Sequence, residues 1–218
     1  MSSIPSNYSF FDVPRPALFP LSHKHSSYGG VCLIFNKKFS SSFDNTVKFD
    51  SFECLFSHFK SSSYNFVIVI IYRPPKSSLS NFIDDFYKLS EHLFSLSLPF
   101  FILGDFNLHF NNPDNLYVSK FLDIINLFNL KQHISVSTHS SGNIIDYIIT
   151  PSSIKTNKLL INPITFSDHH LISFSYNLNI NFINTTIKFD RRNVEKFVNL
   201  FHTFNLYEFD DFVDVNDL

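Results

Sequence analysis

Four short stretches carry residue types that could do chemistry together. In Gly104-Asp105-Phe106-Asn107 a carboxylate and an amide stand two residues apart, on one side of an extended chain. Such a pair aimed into a cleft suits a divalent cation or a water under attack. Taken alone, Asp-x-Asn after a strand also serves as a turn or a helix cap. Ser167-Asp168-His169-His170 sets a carboxylate beside an imidazole just before an apolar run, which reads as a metal ligand next to an acid–base group. With ten histidines in the chain, a solvated loop is the plainer reading. Asp146 is a lone carboxylate inside the apolar stretch Asn143 to Ile149. Buried, it requires a partner, and His169 is the natural candidate, its ring held in one orientation by the carboxylate. On an edge strand it would simply face water. Tyr72, at the exit of the run before Arg73-Pro74-Pro75, can lift its hydroxyl into a cleft above a sheet or be an ordinary strand-end tyrosine.

These residues need a scaffold, and the hydrophobic pattern supplies one. Tyr64 to Tyr72 is β-branched and apolar throughout, the mark of a central strand buried on both faces, and Arg73-Pro74-Pro75 stops it. Val31 to Phe35, Phe52 to Phe59, Phe100 to Leu103, Leu130 to Val136, Ile144 to Thr150, Lys158 to Ile161 and Leu171 to Tyr176 read as further strands. Tyr28-Gly29-Gly30 and Lys60 to Ser63 read as turns, and Lys37 to Phe49 as a loop. Phe82, Phe86, Leu89, Leu93 and Leu96 recur at helical steps, which predicts an amphipathic helix over Leu79 to Leu96 capped by one of Ser77, Ser78 and Ser80. Tyr117, Phe121, Ile124, Ile125 and Phe128 predict a second over Asn115 to Phe128. Met1 to Ser27, rich in Ser and Pro, reads as an extended lead-in without periodicity. Strands outnumber helices, which gives a mixed α/β (α+β) sandwich and not a (β/α)₈ barrel.

Composition bounds the classes. With 218 residues, 44% hydrophobic and 17% charged, the chain is globular and long enough to bury a core without staples. Two cysteines, Cys32 and Cys54, are too few for a disulfide framework and are expected as buried thiols. No apolar run approaches the ~20 residues of a membrane helix, and no basic start precedes an apolar core, so a secreted or membrane-spanning protein is not expected. The formal charge is −2, but Glu208, Asp210, Asp211, Asp214 and Asp217 crowd the acidic end and leave the rest slightly basic, which is compatible with a polyanion partner. The 29 Phe with no Trp point to an AT-rich coding sequence, so most of them are core or drifted surface.

The four stretches in this order are more specific than any of them singly. Tyr72, Gly104-Asp105-x-Asn107, Asp146-Tyr147 and Ser167-Asp168-His169 together resemble the endonuclease/exonuclease/phosphatase family, the fold of DNase I. The phrasing is similar in particular to the endonuclease domain of LINE-type non-LTR retrotransposons: Tyr8 to Pro16, Gly29-Gly30-Val31, Tyr72-Arg73-Pro74-Pro75, Phe101 to Asn107, Thr138-His139, Asp146 to Thr150 and Ser167 to His170. It extends from about Pro5 to Tyr176.

The resemblance implies a DNase I-like two-sheet β-sandwich flanked by helices and a divalent-metal-dependent hydrolysis of phosphodiesters in DNA. Asp105 would take the proton of the attacking water or orient it, and Asn107 would hold that water or a phosphate oxygen. Asp168 would help bind Mg²⁺ or Mn²⁺. His169 would hydrogen-bond the scissile phosphate with Asp146 fixing its tautomer, and Tyr72 would donate to the phosphate or the leaving oxygen. Arg73, Thr138 and His139 would be substrate contacts. The family pattern opens with a strand bearing an Asn and another ending in a metal-binding Glu; Asn7 and Glu53 match neither position. The resemblance therefore implies a domain over 1–178 that lacks its first strands, with a sheet edge and apolar faces left uncovered. Over 179–218 it implies a linker or tail, partly helical from Asn193 to Phe204, of the kind that precedes a reverse transcriptase. An intracellular nicking endonuclease with access to nuclear DNA is the leading reading, with no small-molecule cofactor and no membrane partner. A non-catalytic remnant of such a domain, and a phosphoesterase of the same fold acting on inositol phosphates or sphingolipid, stand beside it.

Overall fold

A computed structural model describes residues 5–14, 30–44, 46–112 and 114–176. Its centre is a six-stranded sheet in the order β3-β4-β5-β6-β8-β7. These strands are β3 (Ser40–Asp44), β4 (Glu53–Lys60), β5 (Asn65–Tyr72), β6 (Phe100–Asp105), β7 (Leu130–Gln132) and β8 (Asp146–Pro151). Only β5 and β6 run parallel. A parallel pair needs a crossover, and α1 (Leu79–Ser95) makes it. Ser78 caps this helix, its side chain accepting from the Asn81 amide. Its Phe82, Phe86, Leu89 and Leu93 lie on one face because they fall at helical spacing, and all are at most 1% exposed.

The strand β5 shows why the sheet is buried. Val67, Val69 and Ile71 point to the helices and are at most 1% exposed, while Phe66 faces the opposite side. On the helix side, Phe82 and Phe86 of α1, Phe106, Phe121 of α2 (Leu116–Leu127) and Tyr147 form one aromatic cluster, with Phe106 edge-on to Phe82 and Phe121 and stacked on Tyr147. The other face is covered by two separate hairpins, β1 (Tyr8–Pro14) with β2 (Gly30–Asn36), and β9 (Thr156–Asn162) with β10 (Leu171–Tyr176). Phe35 of β2 and Tyr176 of β10 meet the Phe59, Phe66 and Phe101 cluster beneath them. The second layer of the sandwich thus consists of two two-stranded sheets among the described residues.

Four expectations change. The lead-in contains the strand β1, whose alternation is carried by Phe11 stacking on Phe35 and Phe43, contacts invisible in a local window. The loop expected over Lys37 to Phe49 contains β3, a Ser-rich edge strand made by its pairing to β4 and not by its own hydrophobicity. The strand β7 ends at Gln132, where the Gln132 side chain accepts from the Ile134 amide and turns the chain. Cys32 is exposed, because β2 alternates and buries Val31 instead. Tyr28-Gly29 and everything expected beyond Tyr176 lie outside the described residues. No described helix is long and apolar enough to cross a membrane.

Candidate active site

Strand register lines up the chemistry. Glu53 of β4 pairs with Tyr72 of β5, Tyr72 with Asp105 of β6, and Asp105 with Asp146 of β8. Paired residues share a face, so these four side chains form one row across four strands. The face is the one that carries the hairpins, since Leu103 and Ile148 lie on it two residues away from Asp105 and Asp146. His169, from the loop joining β9 to β10, meets this row. Its Nδ1 lies 3.0 Å from both carboxylate oxygens of Asp146, and its Nε2 lies 4.0 Å from Asp105 Oδ2.

Asp105 is held from several sides. Gly104 before it has φ +134°, and a Cβ there would fall 1.9 Å from the Ile71 carbonyl oxygen, so only glycine lets β6 approach β5 this closely. Asn107, at φ 46°, turns back on Asp105: its backbone N–H donates to Oδ1 and its Nδ2 to Oδ2, each at 2.9 Å. Arg73 braces the same turn. Its Nε donates to the Phe106 carbonyl, Nη2 to the Asn107 carbonyl and Nη1 to Ser77. The backbone N–H groups of Phe106 and Phe110 donate to Ile145 and Ile144, and the Tyr147 hydroxyl donates to the Leu108 carbonyl. The turn after β6 is therefore fastened to the start of β8.

A second set of bonds fastens the loop of His139 to the loop of His169. The two residues form an isolated antiparallel bridge; Ser140 N–H donates to the Asp168 carbonyl and His170 N–H to the Thr138 carbonyl. The Thr138 hydroxyl accepts from the amides of Ile145 and Asp146, both at 3.1 Å. His139 Nδ1 accepts from the Ser141 amide, which leaves its proton on Nε2, facing Asp168 Oδ2 at 3.2 Å. A cleft of about 290 Å³ opens beside His169, lined by Gly104 and Asp146 and by the apolar Leu103, Ile148, Ile172 and Phe174.

The charges bias each other. Burial raises the proton affinity of Asp105, and the neighbouring Asp146 adds to this against the hydrogen bonds of Asn107. Burial by itself pulls His169 down, but the bond and charge of Asp146, aided by Asp105 and Asp168, outweigh it, and the net shift is upward. Asp168 is lowered by the hydrogen bond from His139. Two groupings bring ligand atoms within 4.8 Å of one another: Asp105, Asp146 and His169, and His139, Asp168 and His169. The first offers the carboxylate oxygens a hard divalent cation prefers, and Asp168, with a side chain 68% exposed, is accessible to one from outside.

A family model described as endonuclease-reverse transcriptase matches residues 66–173, from β5 to β10, and so spans Tyr72, Asp105, Asp146 and His169. The endonuclease domain of TRAS1, a telomere-specific non-LTR retrotransposon, superposes with a TM-score of 0.64 at 10% identity, covering 80% of each chain. Residues 66–173 belong to the endonuclease/exonuclease/phosphatase family. The chain's fold is that family's DNase I-like fold. The human Nocturnin catalytic domain matches at a TM-score of 0.55 and 16% identity, over 78% of this chain and 73% of that one. A Leptotrichia buccalis endonuclease/exonuclease/phosphatase family protein matches at 0.54 and 12%, over 80% and 73%. No curated protein matches the sequence.

The structure brings Tyr72, Asp105, Asn107, Asp146, His169, Asp168 and His139 to one end of the sheet. Two residues expected as substrate contacts are buried. Arg73 is 2% exposed with its guanidinium turned to protein carbonyls, and Thr138 is 0% exposed with its hydroxyl on two amides. Both bond to the backbone on which Asp105, Asn107 and Asp146 stand. Asn107 also differs from its expected role: its amide nitrogen is committed to the Arg73 carbonyl and to Asp105, leaving only its side-chain oxygen for a water. Sequence reasoning set Glu53 aside. It stands in the row beside Tyr72 and is 5% exposed, and the signal that could have found it is a carboxylate between Phe52 and the apolar Cys54-Leu55-Phe56.

Proposed function

We propose that this chain is a divalent-metal-dependent DNA endonuclease domain from a retrotransposon-derived protein, one that in its parent element is joined to a reverse transcriptase. The observation that carries this reading is His169 held on Nδ1 by Asp146 with Nε2 facing Asp105. An imidazole fixed in this way offers Nε2 to a phosphate oxygen, and its raised proton affinity favours the protonated, donating form. Asp105, with both oxygens oriented by Asn107, takes the proton of the attacking water, and its raised proton affinity suits a base. The water oxygen bonds to phosphorus as the opposite P–O bond breaks. Tyr72, next in the row, donates to the phosphate or the departing oxygen. Asp168 would hold Mg²⁺ or Mn²⁺, and the bound cation supplies neutralisation of the charge gathering on phosphorus. DNA as substrate draws on the endonuclease-reverse transcriptase family model and on the TRAS1 endonuclease domain as a structural neighbour.

A plasmid-nicking assay on the full chain tests this, with Mg²⁺, Mn²⁺ or EDTA and with Asp168→Ala and His169→Ala. Metal-dependent conversion of supercoiled to open-circular DNA, abolished in both variants, is expected. A folded chain that leaves the plasmid supercoiled in both metals would overturn it.

A further inference from the structure

Asp168 and His169 also belong to a second ligand set, completed by His139, which the hydrolytic reading leaves unused. Ligand atoms of His139, Asp168 and His169 lie within 4.8 Å of one another. Two imidazoles with one carboxylate is a poor magnesium set, because Mg²⁺ prefers oxygen and retains its waters. Imidazole nitrogen instead selects ions such as Zn²⁺, Co²⁺ and Ni²⁺. We propose that His139, Asp168 and His169 form a binding site for a transition-series divalent ion of the Zn²⁺ type, and that filling it switches the hydrolytic centre off.

Three features support the site. The ligands hang from two segments already stitched together by the His139–His169 bridge and by the bonds from Ser140 to Asp168 and from His170 to Thr138, so little backbone order must be gained on binding. The His169 ring has its Nδ1 engaged by the Asp146 carboxylate, the outer-shell partner that metal-ligating histidines usually have, which leaves Nε2 to coordinate. His139 Nε2 already faces Asp168 Oδ2 at 3.2 Å, with Ser141 Oγ 2.6 Å from Nδ1 to accept the ring proton once Nε2 coordinates. Tetrahedral bonds of about 2.0–2.1 Å require the ligand atoms to draw closer together. Asp168, with its side chain 68% exposed, is free to pivot inward, and a water can complete the shell.

The consequence follows from sharing. Nε2 of His169 and the carboxylate of Asp168 are the groups the hydrolytic reading assigns to phosphate and Mg²⁺. An ion held by both removes them from that work. The switch rests on the hydrolytic reading; the binding site does not.

The test titrates Zn²⁺, and Co²⁺ as a coloured probe, into the full chain by calorimetry and visible absorption. It compares the parent with His139→Ala, His139→Gln and His58→Ala, and far-UV circular dichroism verifies each fold. One-to-one binding is expected, weakened at least tenfold in both His139 variants and unchanged in His58→Ala. Equal Zn²⁺ affinity in folded His139→Gln, or no uptake by the parent, would overturn the site. Where the parent nicks plasmid in Mg²⁺, equimolar Zn²⁺ should stop it, and nicking that persists with Zn²⁺ bound refutes the switch. A chain that binds Zn²⁺ through His139 yet never nicks in Mg²⁺ upholds the site and sinks the hydrolytic reading alone.

Discussion

Asp146 grips His169 by Nδ1, both carboxylate oxygens lying 3.0 Å from that nitrogen. The grip joins a strand of the large sheet to a loop of the second layer and fixes which ring nitrogen faces Asp105. Asp146→Asn retains the shape but removes the charge that orients and supports the ring. Nicking should fall by about 10²–10⁴ while the unfolding midpoint moves little. Parental rates in this variant would remove Asp146 from the mechanism; ring ¹⁵N shifts would report the tautomer directly.

Gly104 meets Ile71 at a distance that admits no side chain. A Cβ would lie 1.9 Å from backbone oxygen, and φ +134° disfavours any L residue there. Because the obstacle is main chain in the middle of the sheet, it cannot swing aside. Gly104→Ala should lose more than about 3 kcal/mol in urea unfolding, at the upper end of single-residue effects. A loss below 1 kcal/mol, on that same order-of-magnitude scale, would mean that β5 and β6 can separate freely.

Arg73 reaches the carbonyls of Phe106 and Asn107 and Ser77 with three different nitrogens. Lysine has the charge but not the fork. Arg73→Lys should cost about 1–3 kcal/mol from carbonyls left without donors, and activity should drop through loss of kcat as Asp105 loses its brace. A change confined to KM would instead mark Arg73 as a substrate contact.

His133, just past the end of β7, ties β8 to β9 through Thr150 and Thr156, and burial with the nearby Lys131 lowers it to about 4. The folded chain therefore resists a proton that the unfolded chain accepts near its ordinary value of about 6.5. Stability is unaffected by this group above that value, falls as pH drops from there toward 4, and levels off below. Urea midpoints at pH 7.5 and 5 should differ less in His133→Gln than in the parent. An equal difference would assign the acid sensitivity to other groups.

Much of this was legible one residue at a time. The apolar block of β5, the helical spacing of Phe82 to Leu93, and the Gly-Asp-x-Asn turn are local patterns with local causes. The pairing of Asp146 with a histidine followed from the cost of an isolated buried carboxylate. β1 and β3 were not legible, because their alternation depends on Phe35, Phe43 and β4, elements distant in the chain.

By itself, then, the sequence determined the candidate residues, the central strand and two helices that hold them, and the family they resemble. Tertiary structure alone decided how they are arranged. Register set Glu53, Tyr72, Asp105 and Asp146 in one row; the fold turned Arg73 and Thr138 inward as braces and set His139 against Asp168. Those outcomes rest on hydrogen bonds between residues some thirty positions apart, such as Arg73 to Asn107 and His139 to Asp168, and no local periodicity encodes a contact at that range.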